Sequence, residues 1–384
     1  MARVWLSSPH MSGREQEYVL DAFATNWVAP LGPHVNAFEQ QLADWLDMRG
    51  VVSLSSGSAA IHLALETLQV KRGDVVLCQS FTFAASAFPI HYLGAEPVFI
   101  DSEAETWNMD PVLLEEAIHD QRKKGKSISA IMVVHLYGMP AKMNEILRVA
   151  KQYDIPVIED AAEALGSTYE GRACGSMGHV GILSFNGNKI ITTSGGGALA
   201  SNDDSLVARV RHLSAQAKEP APYYLHNDIG YNYRLSNICA AIGRGQMEVL
   251  PERVSRRRAV FARYQEALSS LPGVHFLQEP GEAFHSNRWL TTILLDEAVF
   301  GAGMPERVRV ALETKDIESR PLWKPLHQQP VFENCSYYGH GLSDQLFATG
   351  LCLPSGSNMT DETLEEVITL LQSLLVGQGV SMVG

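Results

Sequence analysis

The chain has 384 residues, of which 46% are hydrophobic and 19% charged, and its formal net charge is −13. The length predicts two or three domains, and the composition is typical of a globular protein with a large core. The negative charge argues against a general binder of nucleic acid or of an anionic membrane, and no apolar run approaches the roughly 20 residues that span a bilayer.

The cysteines are few and scattered, at Cys78, Cys174, Cys239, Cys335 and Cys352. No C-x-x-C pair occurs, so the sequence predicts neither a metal site nor a disulfide framework. Free thiols are typical of a reducing compartment, and the N-terminus lacks an apolar segment behind a basic start. We therefore expect a cytoplasmic protein.

From about residue 50, short apolar segments alternate with segments of helical periodicity. Strands are predicted at 51–56, 75–80, 97–101, 130–136 and 155–160, and helices at 57–68, 111–120 and 143–153. These strands lack polar alternation, so both of their faces should be buried in a mostly parallel sheet with helices on each side. Ligands of such sheets bind at the carboxyl ends of the strands.

The pattern changes in the second half of the chain. A glycine-marked strand pair is predicted over 181–201, then a helix at 204–217, a Pro-rich loop at 218–234 and a long helix that Ser236 caps. Beyond about residue 250 a basic helix, short strands and terminal helices indicate a smaller α+β unit. We expect a large domain with an N-terminal arm over residues 1–249 and a small domain over residues 250–384.

Three features fall at predicted strand ends or in buried segments. The Ser-Gly-Ser turn with Gly57 and Ser58 begins a helix and suits a phosphate, although a simple Ser N-cap also explains it. Asp160 ends a buried strand, where it caps the next segment or pairs with a protonated heteroaromatic nitrogen. Lys189 lies in an apolar, Gly-rich segment five residues after Ser184; it is either a solvated lysine or a desolvated amine suited to Schiff-base chemistry.

Two common nucleotide-binding patterns are missing from the sequence. No G-x-G-x-x-G follows the first predicted strand, and no G-x-x-x-x-G-K-[ST] occurs. The sequence therefore argues against a Rossmann dinucleotide site and against a P-loop.

Several segments carry a resemblance to a known family, and it extends nearly over the whole chain. They are SSGSAAIHLAL, QSFTFAASAFPI, VIEDAAEALGS, SFNGNKIITTSGGG and GYNYRLSN. The chain resembles the DegT-type sugar-nucleotide aminotransferases, above all those that make UDP-4-amino-4,6-dideoxy-N-acetylglucosamine for bacillosamine-type precursors. This resemblance implies an α/β aspartate-aminotransferase-like fold (fold type I of pyridoxal-phosphate enzymes), with a large, mostly parallel sheet and a smaller α+β C-terminal domain.

The resemblance also implies a cofactor, pyridoxal 5′-phosphate (PLP), held covalently by Lys189, with pyridoxamine phosphate as the intermediate form. Asp160 would pair with the ring nitrogen and keep the ring an electron sink. Gly57, Ser58 and Ser184 would bind the phosphate, and Phe83 would lie against the ring. Asn232 would reach the cofactor phosphate of a neighbouring subunit, which implies a homodimer with shared active sites. Glu163 would lie at the cofactor, with its partner open between a cofactor oxygen and the substrate.

The substrates implied are L-glutamate, as amino donor, and a nucleotide-linked 4-keto-6-deoxy sugar, UDP-linked 4-keto-6-deoxy-N-acetylglucosamine. The candidate contacts of the sugar nucleotide are Asn26, Trp27, Arg234, Arg320, Trp323 and His327. Arginine can hold a phosphate with two hydrogen bonds, and tryptophan offers a stacking face.

Two other functions stay open on the residues alone. One is a PLP-dependent sugar dehydratase, and the other is a non-catalytic protein that kept the fold and binds a small ligand. Dehydratases of this family carry His in place of the lysine, so Lys189 favours transamination. A visible absorbance band that glutamate bleaches would separate an aminotransferase from a binding protein.

Overall fold

The computed structural model describes residues 3–379, with side chains up to residue 376. Its strands are β1 (Gly50–Leu54), β2 (Val75–Gln79), β3 (Glu96–Ile100), β4 (Ile128–Val134), β5 (Val157–Asp160), β6 (Thr168–Tyr169), β7 (Arg172–Ala173), β8 (Val180–Ser184), β9 (Gly197–Ser201), β10 (Val274–Phe276), β11 (Phe284–His285), β12 (Thr291–Leu295), β13 (Arg320–Pro321), β14 (Tyr337–Tyr338) and β15 (Gly350–Leu353). Its helices are α1 (Arg14–Ala24), α2 (Pro33–Leu46), α3 (Gly57–Thr67), α4 (Phe88–Tyr92), α5 (Pro111–Lys123), α6 (Met143–Tyr153), α7 (Asp204–Ser214), α8 (Asn237–Glu248), α9 (Leu250–Leu268), α10 (Glu297–Phe300), α11 (Met304–Glu313), α12 (Leu342–Thr349) and α13 (Asp361–Gly379).

The larger sheet has eight strands in the order β1-β9-β8-β5-β4-β2-β3-β14. Strand β9 runs antiparallel to both of its neighbours, and β8, β5, β4, β2, β3 and β14 run parallel to one another. The predicted mostly parallel sheet is confirmed.

Both faces of this sheet are covered, as the unbroken apolar strands predict. Alternate residues of β2 point to opposite faces: Val75 and Leu77 pack with α5 and α6, whereas Val76 and Cys78 pack with α3, α4 and α7. Some helices, namely α3, α5, α7, α8 and α10, begin where a side chain accepts a hydrogen bond from the first turn, as Ser236 does from Cys239 N at the start of α8. The sheet is thus a rigid, buried layer whose carboxyl edge can hold a site.

A second, antiparallel sheet has the order β10-β12-β15-β13 and packs with α9, α11 and α13 around its own apolar cluster. All of its strands come from the segment predicted to form the small domain. One strand of that segment, β14, instead pairs with β3 at the edge of the large sheet. The division at residues 249 and 250 stays a prediction.

Between β8 and β9 the chain forms a loop over residues 185–196, which carries Lys189. Because β9 is antiparallel to β8, both ends of this loop lie at the carboxyl edge of the parallel strands. No helix among the described residues is long and apolar enough to cross a bilayer.

Candidate active site

A cavity of about 330 Å³ opens at the carboxyl edge of the large sheet. Its walls include residues that follow β1, β5 and β8 and residues of the loop before β9. Six residues that the sequence singled out for the cofactor line this cavity together: Gly57, Ser58, Asp160, Glu163, Ser184 and Lys189. Phe83 lines it as well.

One end of the cavity is formed by the first turn of α3. Ser56 caps this helix by accepting a hydrogen bond from Ala59 N (3.0 Å). A Cβ atom on Gly57 would lie 3.4 Å from the Cβ of Ser184, so the helix start and the end of β8 are in close contact. The first N–H groups of a helix and its dipole favour an anion, and the nearby hydroxyls can donate to it. This end of the cavity suits a phosphate group.

Asp160 forms another part of the wall, with 5% of its surface exposed. Its Oδ2 accepts a hydrogen bond from Ser86 Oγ (2.7 Å), and its Oδ1 accepts one from Ala162 N (3.1 Å). Among the side chains described, none forms a salt bridge with this carboxylate. Since burying a charge without an opposite charge is costly, the site suits a ligand that brings a positive group to Asp160.

The amine of Lys189 lies in the same cavity, and only 12% of the side chain is exposed. Its Nζ is 3.6 Å from Glu163 Oε1 and 4.2 Å from the centre of the Trp289 ring. Lysines are seldom buried unless they are paired, and a desolvated amine is the form suited to attack a carbonyl carbon. The solvated-lysine reading of the sequence therefore does not hold for Lys189.

Glu163 is 5% exposed and lies between Lys189 and Tyr137. Its Oε2 accepts a hydrogen bond from Tyr137 N (2.7 Å), while its Oε1 faces Lys189. Burial raises the pKa of Glu163, and the Lys189 charge only partly opposes this effect. The carboxyl group therefore binds a proton more readily in the fold than in the unfolded chain.

This shift predicts a pH-dependent effect of Glu163→Gln on the cofactor-free protein. Because the folded pKa is raised, Glu163 stabilises the fold most below its unfolded pKa and loses that contribution as the pH rises through the folded pKa. Gln keeps the shape but has no charge to bury. We expect the difference in melting temperature, Glu163→Gln minus wild type, to be more positive at pH 8 than at pH 4.5. An equal difference at both pH values would contradict the assignment.

The rings of Phe83, Trp289 and Trp323 form another part of the wall. Phe83 is 52% exposed, and its ring lies 5.2 Å from that of Trp323. Trp323 is nearly parallel to Tyr137, and Tyr137 to Trp289, with 6.5 Å between ring centres in both pairs. A second cavity of about 530 Å³ adjoins the first and shares Phe83, Trp289 and Trp323 with it. Arg320 lines this second cavity.

Other residues that the sequence selected for the substrate lie outside both cavities. The Arg234 guanidinium is paired with Glu39 Oε1 (2.8 Å) and donates to Ser53 O (3.2 Å). Both ring nitrogens of His327 are engaged, Nδ1 with Ser80 Oγ (2.7 Å) and Nε2 with Asp344 Oδ1 (3.0 Å). These contacts give each side chain a place in the packing of the chain, and their role at the substrate stays a prediction.

Asn26, Trp27 and Asn232 are exposed and also lie outside the two cavities. Asn232 is flanked by Tyr231 and Tyr233, whose rings pack against His62. A single chain does not bring these three residues to the cofactor cavity, and their roles stay predictions, that of Asn232 at the cofactor of a neighbouring subunit and those of Asn26 and Trp27 at the sugar nucleotide.

The sequence did not predict a role for Ser86 and Trp289, which line the first cavity, or for Tyr137, which lines the second. Ser86 lies in the QSFTFAASAFPI segment that resembles the family, and Tyr137 follows β4 at a carboxyl strand end. The sequence could therefore have marked both as site residues. Trp289 comes from the segment between β11 and β12, and nothing local in the sequence connects it with Lys189.

Comparison with known proteins identifies the family of this chain. Residues 9–372 match the DegT/DnrJ/EryC1/StrS aminotransferase family. The chain belongs to this family. It is 52% identical over 376 residues, 97% of this chain and 96% of the relative, to the Bacillus subtilis (strain 168) protein named "Putative pyridoxal phosphate-dependent aminotransferase EpsN". It is 37% identical over 366 residues, 95% of this chain and 96% of the relative, to the GDP-perosamine synthase of Escherichia coli O157:H7.

Among solved structures, the chain is similar to "Putative sugar aminotransferase Spr1654 from Streptococcus pneumoniae", solved in PLP and PMP forms. For the PMP form the TM-score is 0.90 at 25% identity, over 98% of each chain. The predicted fold type I architecture is confirmed. The protein is a sugar-nucleotide aminotransferase, a transaminase whose cofactor is PLP.

The cavity fits this cofactor on chemical grounds. PLP carries a phosphate, a ring nitrogen that can be protonated and an aldehyde. The start of α3 offers an anion site, Asp160 is a buried carboxylate with no salt bridge to any described side chain, and Lys189 offers a largely buried amine. Each group of the cofactor thus has one matching group on the protein.

Proposed function

We propose that this aminotransferase moves the amino group of L-glutamate to a nucleotide-linked 4-keto-6-deoxy sugar, namely UDP-linked 4-keto-6-deoxy-N-acetylglucosamine. The product would be the 4-amino sugar used for bacillosamine-type glycans. One observation carries the proposal: the desolvated amine of Lys189 and the uncompensated carboxylate of Asp160 share a cavity that continues into a larger, aromatic-walled one.

In this proposal PLP supplies an electrophilic carbon and a ring that accepts electrons. Gly57, Ser58 and Ser184 would bind its phosphate, and the Asp160 carboxylate would pair with its ring nitrogen and keep that nitrogen protonated. Lys189 would hold it covalently and, as a free amine, would move a proton, in opposite directions in the two half-reactions, between the cofactor carbon C4′ and the substrate carbon that bears nitrogen. Glu163, 3.6 Å from Lys189, orients the amine towards that carbon.

The second cavity is the proposed place of the sugar nucleotide. The ring faces of Phe83 and Trp323 offer stacking surfaces beside the cofactor cavity. The Arg320 side chain is 67% exposed and pairs with Glu318 (2.9 Å), so it can still donate to a diphosphate. The choice of UDP rests only on the likeness of the sequence segments. A relative with 37% identity is named for a GDP sugar, so the relatives do not support UDP over GDP.

The experiment that tests the substrate is incubation of the holoenzyme with UDP-, GDP- and dTDP-linked keto sugars plus L-glutamate, read by mass spectrometry. We expect a gain of an amino group on the UDP-linked 4-keto-6-deoxy-N-acetyl sugar, with 2-oxoglutarate formed in equal amount. Amination of a GDP sugar alone would overturn the choice of UDP. Ammonia without an amino sugar would indicate dehydration instead.

We further propose that the protein works as a homodimer with shared active sites. Exposed apolar side chains cluster at the end of α1 and just after it, at Leu20, Phe23, Trp27, Val28 and Leu31. Large exposed apolar patches on globular proteins mark interaction surfaces. A second copy over this surface would cover the patch; the role of Asn232 at the neighbouring cofactor phosphate rests on the family resemblance.

Mixed dimers give a direct test of sharing. In a dimer of one Lys189→Ala chain and one Asn232→Ala chain, one site carries both changes and the other carries neither. We therefore expect co-refolded or co-expressed mixtures to regain up to about half of wild-type activity per mixed dimer, while each pure variant stays low. Activity of the mixture equal to the average of the two pure variants would contradict shared sites.

A further inference from the structure

The carbonyl oxygen of Asn188 lies directly before Lys189 and accepts two side-chain hydrogen bonds. Ser7 Oγ donates one (2.7 Å), and Trp289 Nε1 donates the other (2.8 Å). This oxygen belongs to the same planar peptide group as the Lys189 nitrogen. Its two donors therefore fix where the lysine backbone begins.

Both donors are held by one buried guanidinium. Arg257, on α9, is 1% exposed. Its Nη2 donates to Ser7 Oγ (2.8 Å), and its Nη1 donates to Trp289 O and to Ser355 O (3.2 Å). One side chain thus connects the N-terminal arm, here residues 3–9, with α9 and with the tryptophan beside the catalytic amine.

The setting of Arg257 is unusual for a residue that only fills space. Burial, with a smaller effect of the Arg253 charge, lowers the pKa of Arg257 to about 9. Among the residues with described side chains, no carboxylate forms a salt bridge with it, and its acceptors are neutral oxygens. A buried cation without an anion is costly, whereas an apolar side chain of similar size can fill such a space at lower cost. Its N–H groups donate to Ser7, Trp289 and Ser355, and holding these residues in place is a specific role for this costly group.

We infer that Arg257 and Ser7 are positioning residues for Lys189, so that the N-terminal arm is part of the catalytic apparatus. These contacts act on both the backbone and the side-chain amine of Lys189. Ser7 and Trp289 hold the Asn188 carbonyl at the backbone end, and the Trp289 ring lies 4.2 Å from Nζ at the other end. Ser7 also lines the second cavity, which connects the arm with the space proposed for the sugar. This inference rests on the proposed role of Lys189.

The test compares Ser7→Ala with Ser8→Ala. Ser7→Ala removes a donor to Asn188 O, whereas Ser8→Ala removes a neighbouring hydroxyl that accepts from Asn358 Nδ2 (2.9 Å) instead. The first readout is the rate at which cofactor-free protein develops the visible absorbance band after PLP is added, and the second is kcat and KM. Because one lost hydrogen bond is worth about a fivefold change, we expect Ser7→Ala to load PLP roughly fivefold more slowly and to lose a similar factor in kcat.

Ser8→Ala should load at the wild-type rate, and Ser7→Thr, which keeps the hydroxyl, should recover most of the loss. Equal loading by Ser7→Ala and Ser8→Ala would overturn the inference. A wild-type protein that forms no band dependent on Lys189 would instead remove the proposed role of Lys189.

Arg257→Lys tests whether Arg257 acts through Ser7. If it does, adding Ser7→Ala to Arg257→Lys should slow PLP loading by much less than Ser7→Ala does in the wild-type protein. Fully additive effects in the double variant would contradict a shared route. If Arg257→Lys does not fold, the Ser7 and Ser8 pair still decides the role of the arm.

Discussion

Replacement of Lys189 with alanine is expected to abolish transamination. The variant lacks the amine proposed both to hold PLP covalently and to act as general acid/base at the reacting carbon. General acid/base catalysis alone is worth roughly 10²–10⁴-fold in rate. The measurement is 2-oxoglutarate formation from L-glutamate with the sugar nucleotide, followed together with the visible spectrum of the protein.

The matched control is Lys324→Ala, which removes a lysine at the neighbouring cavity. Lys324→Ala should keep the absorbance band, whereas Lys189→Ala should lose the band that depends on covalent attachment. Appreciable turnover by Lys189→Ala would remove the lysine from the mechanism.

The second large effect is expected for Asp160→Asn. Asn keeps the shape of the side chain but cannot neutralise a protonated ring nitrogen in a buried site. Removing one partner of a buried ion pair costs roughly 3–5 kcal/mol, which corresponds to about two to four orders of magnitude in rate. We expect kcat/KM to fall by about that factor, with folding retained because the carboxamide can still accept from Ser86.

Ser86→Ala is the control for this prediction. It removes the 2.7 Å hydrogen bond to Asp160 but leaves the charge, so the expected loss is tenfold or less. An Asp160→Asn variant within tenfold of wild type would show that the charge at this position does not stabilise the cofactor.

The sheet and the centre of the site could be predicted from local sequence patterns. Apolar segments without polar alternation predict buried parallel strands, and Gly57, Asp160 and Lys189 are predicted site residues because each stands at a strand end or in a buried segment. The bounds were less accurate: the strand predicted at 155–160 begins at Val157 in the structure. Helix and strand ends depend on hydrogen bonds to other segments, which a local pattern does not contain.

Contacts between distant segments could not be predicted. The pairing of Arg234 with Glu39 joins the segment before α8 to α2, so Arg234 looked in the sequence like a free cation. Strand β14 is only two residues long and has no periodicity to detect. Trp289 and Arg257 come from the predicted small domain, and their connection to Lys189 exists only once the chain has folded.

The reversed direction of β9 has a consequence for the length of the lysine loop. Both ends of residues 185–196 are tethered to the same rim of the sheet by the β8–β9 ladder. A parallel β9 would have required a crossover to the far rim and a much longer connection. The Lys189 side chain therefore lies on a loop whose two ends are both fixed by the sheet. This limits the conformational entropy that is lost when the loop holds the amine in one position. Insertions should be tolerated less readily here than in surface loops elsewhere in the chain.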